Sequence, residues 1–100
     1  MHVAEFTFKA KPWVYPGQAA WHFVSVPKKE SARIKALFGG LQRGFGSFPV
    51  TVSIGKTTWL TSIFPDPKTG TYLLPVKAAV RKKEGVVEGK AVSVTLAMRV

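Results

Sequence analysis

The stretch FPVTVSIGKT, residues 48–57, sets its apolar side chains at every second position and then reaches a Gly-Lys pair. Successive side chains of a β-strand point to opposite faces, so this alternation predicts a strand with one buried and one solvated face. Gly55 and Lys56 suit the tight turn of a hairpin, and we expect a second strand over residues 57–64. The stretch therefore predicts antiparallel β-structure, which can leave one face of its sheet in water.

The same alternation occurs near both ends of the chain. Residues 4–10 read AEFTFKA and residues 92–98 read VSVTLAM. Apolar runs at residues 20–26 and 71–74 predict two further strands. These patterns indicate a mostly β protein.

Prolines, glycines and aromatic residues indicate what lies between and on these strands. Residues 13–17, WVYPG, are expected to form a loop, and the proline-rich residues 65–70 are expected to form a turn. Aromatic side chains on predicted strands are mostly expected in the core. They are Trp21, Phe23, Phe48, Trp59 and Phe64.

Two short segments have the spacing of a helix instead. Each places three apolar residues at positions i, i+3 and i+4, the pattern of a helix with one buried face. A proline stands before each segment, where the first turn of a helix tolerates it. The apolar residues are Ile34, Leu37 and Phe38 in the first segment and Val76, Ala79 and Val80 in the second. We therefore predict two short helices with basic outer faces.

The two helical segments also indicate an internal repeat. A shift of 48 residues places Pro27 on Pro75, and a shift of 42 superposes residues 50–54 on residues 92–96. Each unit consists of a strand, a proline, a short basic helix and a second strand.

The fold predicted from these patterns is a small closed or double-split β-barrel with two short α-helices. It is built from two pseudo-repeats, about residues 20–54 and 69–98, within a single domain of residues 1–100. A chain of this length supports one hydrophobic core.

Composition narrows the classes of function. The 100 residues include 15 Lys and Arg, 5 Asp and Glu and no Cys, which gives a formal net charge of +10. Without cysteine, the chain has no disulfide, no thiolate metal site and no cysteine nucleophile. It has no apolar run suited to a membrane span or a signal peptide. We therefore expect a cytoplasmic protein that does not use a membrane as its partner.

Four ordered motifs carry a resemblance to a known family. They are AWHFVSVP at residues 20–27, RGFGS at 43–47, TWLTSIFP at 58–65 and YLLPVK at 72–77. With these motifs the chain resembles a bacterial domain-of-unknown-function family that occurs alone or fused to YdeI/OmpD-associated (bacteriocin-protection) domains. The resemblance implies a small, mostly β, barrel-like fold with short helices and no established activity. We expect this chain, which ends at Val100, to lack the attached domain.

The C-terminal part resembles a second family. Its motifs are LP at residues 74–75, VRK at 80–82, EGV at 84–86, EGK at 88–90 and VSV at 92–94. They look like the swapped-hairpin half of AbrB/MazE-type DNA-binding proteins, which build a double-split barrel from two chains. The internal repeat would let one chain supply both halves here. The tryptophan-flanked strands and the glycine-rich loop depart from that pattern, and fold alone does not fix function.

Cations on the two predicted helices are the favoured binding residues. Lys29 and Arg33 lie on the first segment, Lys77 and Arg81 lie on the second, and Arg43 lies in the glycine-rich loop. A strongly basic chain attracts polyanions and gains affinity for phosphates through counterion release. We therefore predict a noncatalytic module, monomeric or homodimeric, that binds nucleic acid or another polyanion through these residues.

Two alternatives stay open at this point. The first is a barrel-mouth pocket for a small molecule, lined by Trp21, Trp59 and Arg43. The second is a hydrolase-type enzyme using His22 and Ser62, although the scattered carboxylates offer no acid–base pair. Neither a cofactor nor a metal ion is expected, because residues that could bind a metal are scarce.

Overall fold

The structure, a computed structural model, describes residues 4–17, 21–42 and 44–99. These residues form seven β-strands and two α-helices. The strands are β1 (Glu5–Ala10), β2 (Trp13–Val14), β3 (His22–Val26), β4 (Phe48–Ile54), β5 (Thr57–Asp66), β6 (Thr71–Pro75) and β7 (Val92–Met98). The helices are α1 (Lys28–Phe38) and α2 (Ala78–Glu84). The prediction of a mostly β fold with two short helices is confirmed.

The strands form one antiparallel sheet in the order β1-β7-β4-β5-β6-β3-β2. The first part of β5 pairs with β4 and its last three residues pair with β6, so this long strand joins the two parts of the sheet. The sheet curls into a half-barrel. Among the described strands, β1 and β2 remain the two edges, and the closed barrel that the sequence allowed is not seen.

The inner face of the curled sheet carries the core. In β4 buried and partly buried residues alternate from Phe48 to Ile54, as the opening stretch of sequence predicted. Across the interior, the Phe48 and Tyr72 rings meet edge to face with their centroids 5.6 Å apart. Side chains with no exposed surface come from five strands and one helix: Val24, Val26, Ile34, Phe48, Val50, Val52, Ile63, Leu74, Val94 and Leu96.

Helix α1 packs on the half-barrel through a narrow stripe. Ile34 is fully buried, and the buried Ser31 hydroxyl donates to the Val26 carbonyl oxygen at 2.9 Å. The same hydroxyl oxygen accepts the backbone N–H of Tyr72 at 3.1 Å. The expectation that Leu37 lies on this face is wrong, because Leu37 is 60% exposed. The buried stripe continues to Phe38 instead. Consecutive residues of a helix are rotated by about 100°, so Leu37 and Phe38 point in different directions.

Helix α2 is shorter than the apolar spacing predicted. It begins at Ala78, so Val76 is buried before the helix rather than on it. Ala79 is exposed, and Val80 alone is buried within α2. Gly85 ends the helix in the left-handed conformation, with φ 64°, and its N–H bonds to the Arg81 carbonyl.

Two connections differ from the sequence prediction. Residues Trp13–Val14, expected in a loop, form β2 and pair with Phe23 and His22 of β3. β5 extends through Pro65 to Asp66, where a turn was expected. The turn is therefore confined to residues 67–70. Asp66 closes it, because its carbonyl accepts the Gly70 N–H at 2.9 Å and its carboxylate accepts the Lys68 N–H at 3.1 Å.

The order strand, proline, helix, strand occurs twice, as β3-α1-β4 and β6-α2-β7. β3 pairs with β6, and β4 pairs with β7. Ser25 faces Leu73, 48 residues later, and Ser53 faces Thr95, 42 residues later. A twofold relation requires equivalent residues to face each other where its axis crosses a ladder. Each of the two ladders contains such a pair, at the same shift that aligns the repeat in the sequence. That the two units arose by duplication stays a prediction.

None of the helices formed by residues 4–17, 21–42 and 44–99 is long and apolar enough to cross a membrane.

Candidate functional site

A cleft of about 260 Å³ lies between the first turn of α2, the middle of β5 and the start of β3. We call it the α2 cleft. Its lining includes Trp21, His22, Trp59, Thr61, Lys77 and Arg81. The structure therefore brings together two of the predicted anion-binding cations and both tryptophans of the predicted aromatic pocket.

The position of α2 explains why its two cations face the cleft together. Lys77 and Arg81 are four residues apart, which places them on the same side of a helix. The Lys77 carbonyl accepts the N–H groups of Val80 and Arg81, both at 3.1 Å, and so starts the helix at that point. Val80, which lies next to Arg81 in the sequence, is buried and anchors the helix in the core.

Carboxylates are absent from the described lining of the α2 cleft. The acidic residue of α2 is Glu84, and its Oε2 accepts the Thr57 hydroxyl at 2.5 Å on the β4–β5 hairpin. Lys77 and Arg81 have no ion pair with any described carboxylate. The cleft thus presents two positive charges that no described acidic side chain of its lining offsets.

The two tryptophans occupy different depths. Trp59 is 9% exposed and belongs to the core, so it forms the floor of the cleft. Trp21 is 55% exposed and stands at the rim. The expectation that most of the strand aromatics belong to the core is wrong. Phe48 and Trp59 are buried, whereas Trp21, Phe23 and Phe64 lie on the outer side of the sheet, and a curled sheet buries only its inner face.

An aromatic surface continues from Trp21 over the outer side of β2, β3, β6 and β5. We call it the aromatic face, and its members are Trp13, Tyr15, Trp21, Phe23 and Phe64, with Leu73 between them. Register partners such as Trp13 and Phe23, or Phe64 and Leu73, share one side of an antiparallel sheet. Val24 and Val26 point to the opposite side, into the core.

Ring contacts and one hydrogen bond fix the aromatic face. The Trp13 and Phe23 centroids are 5.2 Å apart, and Trp21 stacks on Phe23 at 6.1 Å with 14° between the planes. The Trp13 indole N–H donates to the Ser25 hydroxyl at 2.9 Å. Tyr15 joins the face because its backbone N–H bonds to the Trp21 carbonyl at 2.8 Å.

The remaining predicted anion-binding residues lie elsewhere. Lys29 and Arg33 are on α1, and the Arg33 guanidinium carbon lies 5.8 Å from the centroid of the Phe6 ring in β1. Neither residue is among the described lining of the α2 cleft. Arg43, predicted both as an anion-binding and as a pocket residue, lies outside the described residues. A joint role for these three cations with Lys77 and Arg81 stays a prediction.

The residues of the enzyme alternative are not brought together at the cleft. His22 lines the α2 cleft, and its backbone carbonyl accepts Val76 N–H at 3.0 Å. Ser62 faces Pro49 across the β4–β5 ladder and is not among the described lining residues. The hydrolase alternative stays a prediction without a site.

A second cleft, of about 400 Å³, lies at the other end of the sheet and was not predicted from the sequence. It lies between the last turn of α1 and the β5–β6 turn, and Lys35, Gln42, Asp66 and Tyr72 line it. Burial raises the pKa of the Tyr72 phenol, because a charged phenolate would lose hydration there. The Asp66 carboxylate already accepts the Thr69 hydroxyl at 3.1 Å, so it serves the turn.

Comparison with known proteins places the chain in a family without adding an activity. Among curated proteins, no match to the chain was found. The AbrB/MazE resemblance and the fusion to YdeI/OmpD-associated domains stay expectations from the sequence. Residues 8–96 match the family described as a domain of unknown function, DUF1905, and the chain therefore belongs to that family.

Proposed function

We propose that this protein is a noncatalytic binding module whose α2 cleft takes an anionic partner, nucleic acid or another polyanion. One observation carries the proposal: Lys77 and Arg81 line a cleft together with Trp21 and Trp59, and no carboxylate stands among its described lining. An arginine fork and a lysine ammonium are the side chains that proteins use for phosphate and carboxylate groups.

The charge of the whole chain supports the same partner. A formal net charge of +10 raises the local concentration of polyanions around the protein. Lys29 and Arg33 of α1 extend the cationic surface in this proposal, and Arg43 joins them as a residue predicted from the sequence alone. We place the binding in the cytoplasm, since a chain without cysteine needs no oxidising compartment.

Salt-dependent retention on heparin tests the proposal. The double variant Lys77→Gln/Arg81→Gln should elute at clearly lower salt than the wild-type protein. A matched control, Lys56→Gln/Lys68→Gln, removes the same charge from two exposed turn residues away from the cleft. Equal elution of the two double variants would show that only net charge matters and would remove the cleft from the proposal. The variant Lys29→Gln/Arg33→Gln measures the contribution of α1.

A small anionic molecule in the same cleft is the second candidate. The observation that favours it is the presence of an aromatic floor, Trp59, and an aromatic rim, Trp21, within one cavity. Such a ligand would stabilise the folded protein by an amount that grows with the logarithm of its free concentration relative to its Kd. Adenosine monophosphate should then raise the Tm of the wild-type protein and leave that of Lys77→Gln/Arg81→Gln unchanged. A Tm that does not respond to the nucleotide contradicts this candidate.

A further inference from the structure

The aromatic face is a second surface that adjoins the α2 cleft. Tyr15 and Trp21 are each 55% exposed, although aromatic side chains of this size usually supply core packing. A shallow groove lined by Tyr15, Trp21, Phe23 and Leu73 runs along this face. Because the Trp21 and Phe23 rings are already held in contact with each other, a ligand that stacks on them loses little additional side-chain entropy.

Trp21 connects the two surfaces, since it lines both the groove and the α2 cleft. A ligand that follows this path meets cations at Lys77 and Arg81 and flat apolar rings at Trp21 and Tyr15. It must therefore carry negative charges and planar rings along one chain. Nucleic acid has both, with the phosphates on its backbone and the rings in its bases.

We infer that the nucleic acid bound here is single-stranded, with bases stacked on the aromatic face and phosphates at the α2 cleft. This inference rests on the proposed function. In a duplex the bases stack on one another and show only their edges in the grooves. An open row of aromatic rings needs the faces of bases, which only an unpaired strand presents.

Oligonucleotide binding at fixed salt tests the inference. The probe is a fluorescently labelled oligothymidylate of about 15 nucleotides, long enough for the known range of single-strand sites. We expect it to bind at least about tenfold more tightly than its duplex with oligoadenylate, since base stacking on aromatic side chains contributes on that scale. It should also quench tryptophan fluorescence, whereas heparin, which has no aromatic rings, should not.

The variant Tyr15→Ala separates stacking from charge, because Tyr15 is on the aromatic face and is not among the described lining of the α2 cleft. It should weaken oligothymidylate binding about tenfold and leave heparin elution unchanged. Tyr15→Phe keeps the ring and should keep most of the affinity. Leu37→Ala, which truncates an exposed apolar residue on α1, is the control and should bind as the wild type does.

Two results would overturn the inference while leaving the proposed function intact. One is equal affinity for the single strand and the duplex. The other is a Tyr15→Ala variant that binds oligothymidylate as tightly as Tyr15→Phe does. If instead Lys77→Gln/Arg81→Gln elutes from heparin at the same salt concentration as its charge-matched control, the α2 cleft is removed from the proposed function, and the inference falls with it.

Discussion

Thr57 and Glu84 join the β4–β5 hairpin to the C-terminal end of α2 through a hydrogen bond of 2.5 Å from the Thr57 hydroxyl to Glu84 Oε2. The Glu84 carboxylate lies directly over Gly55, so closely that a Cβ at this position would overlap Glu84 Oε1. Gly55 also has a φ of 59°, which side chains other than glycine rarely adopt. One glycine thus allows both the turn and the docking of the helix that carries Lys77 and Arg81.

The substitution Gly55→Ala should lower the free energy of unfolding by about 1–3 kcal/mol, because it combines an unfavourable φ with displacement of the Glu84 carboxylate from its hydrogen bond to Thr57. Gly70→Ala has a comparable φ of 73° and open space around it, so it measures the backbone cost alone. We expect about 1 kcal/mol for that control. Urea unfolding gives both values. Equal losses for the two variants would show that Glu84 is not in contact with the turn.

Adding Glu84→Ala to Gly55→Ala tests the same contact from the other side. Glu84→Ala removes the overlapping atoms, and the double variant should lose less stability than the sum of the two single variants. Simple additivity would contradict the contact.

Ser31 is a buried hydroxyl that serves two strands at once. Ser31→Ala leaves the Tyr72 backbone N–H without its acceptor and should cost about 1–3 kcal/mol of stability, as loss of a buried hydrogen-bond partner does. Ser93→Ala, on the exposed side of β7, should change stability by no more than about 0.5 kcal/mol. A Ser31→Ala variant as stable as the Ser93→Ala variant would show that another acceptor, such as water, replaces the hydroxyl.

The mostly β fold and its half-buried strands could be predicted from the sequence because one physical rule governs them. Strands buried on one side must alternate, and β4 does so along its whole length. The side to which an aromatic residue points is harder to predict. Trp21 directly precedes β3. The residues next to it in the sequence do not show whether its ring lies on the inner or the outer face of the sheet, and only the register of β3 with β2 decides this.

The candidate site was only half predictable for a related reason. Lys77 and Arg81 were singled out by charge and spacing, and Trp21 and Trp59 by their aromatic character. That all four line one cleft depends on β6 lying between β5 and β3, with α2 directly after β6 in the chain, which is a property of the sheet order. The aromatic face required strand pairing as well, because Trp13 and Tyr15 come from a segment expected to be a loop.

Helix α1 shows the same limit in a form that stability measurements can check. Ile34 and Leu37 are both apolar and both fit the helical spacing, but Ile34 is fully buried whereas Leu37 is 60% exposed. Ile34→Ala should cost about 2–5 kcal/mol by leaving a cavity in the core. Leu37→Ala should stay within about 0.5 kcal/mol of the wild type. Comparable losses in urea unfolding would mean that α1 is rotated so that Leu37 also packs on the half-barrel.

Stability at high pH should depend on Tyr72. Burial raises the pKa of its phenol above the ordinary value, so the unfolded chain loses this proton at lower pH than the folded protein does. The stability contributed by the buried neutral phenol is therefore complete below about pH 10 and declines as pH rises from there through the raised pKa.

Tyr72→Phe should make this decline shallower, whereas Tyr15→Phe, at an exposed tyrosine, should keep the wild-type profile. Urea unfolding at a series of pH values from neutral to strongly alkaline checks this, and lysine deprotonation cancels in the comparison because every variant keeps the same lysines. Parallel curves for Tyr72→Phe and Tyr15→Phe would show that the phenol of Tyr72 reaches water in the folded state.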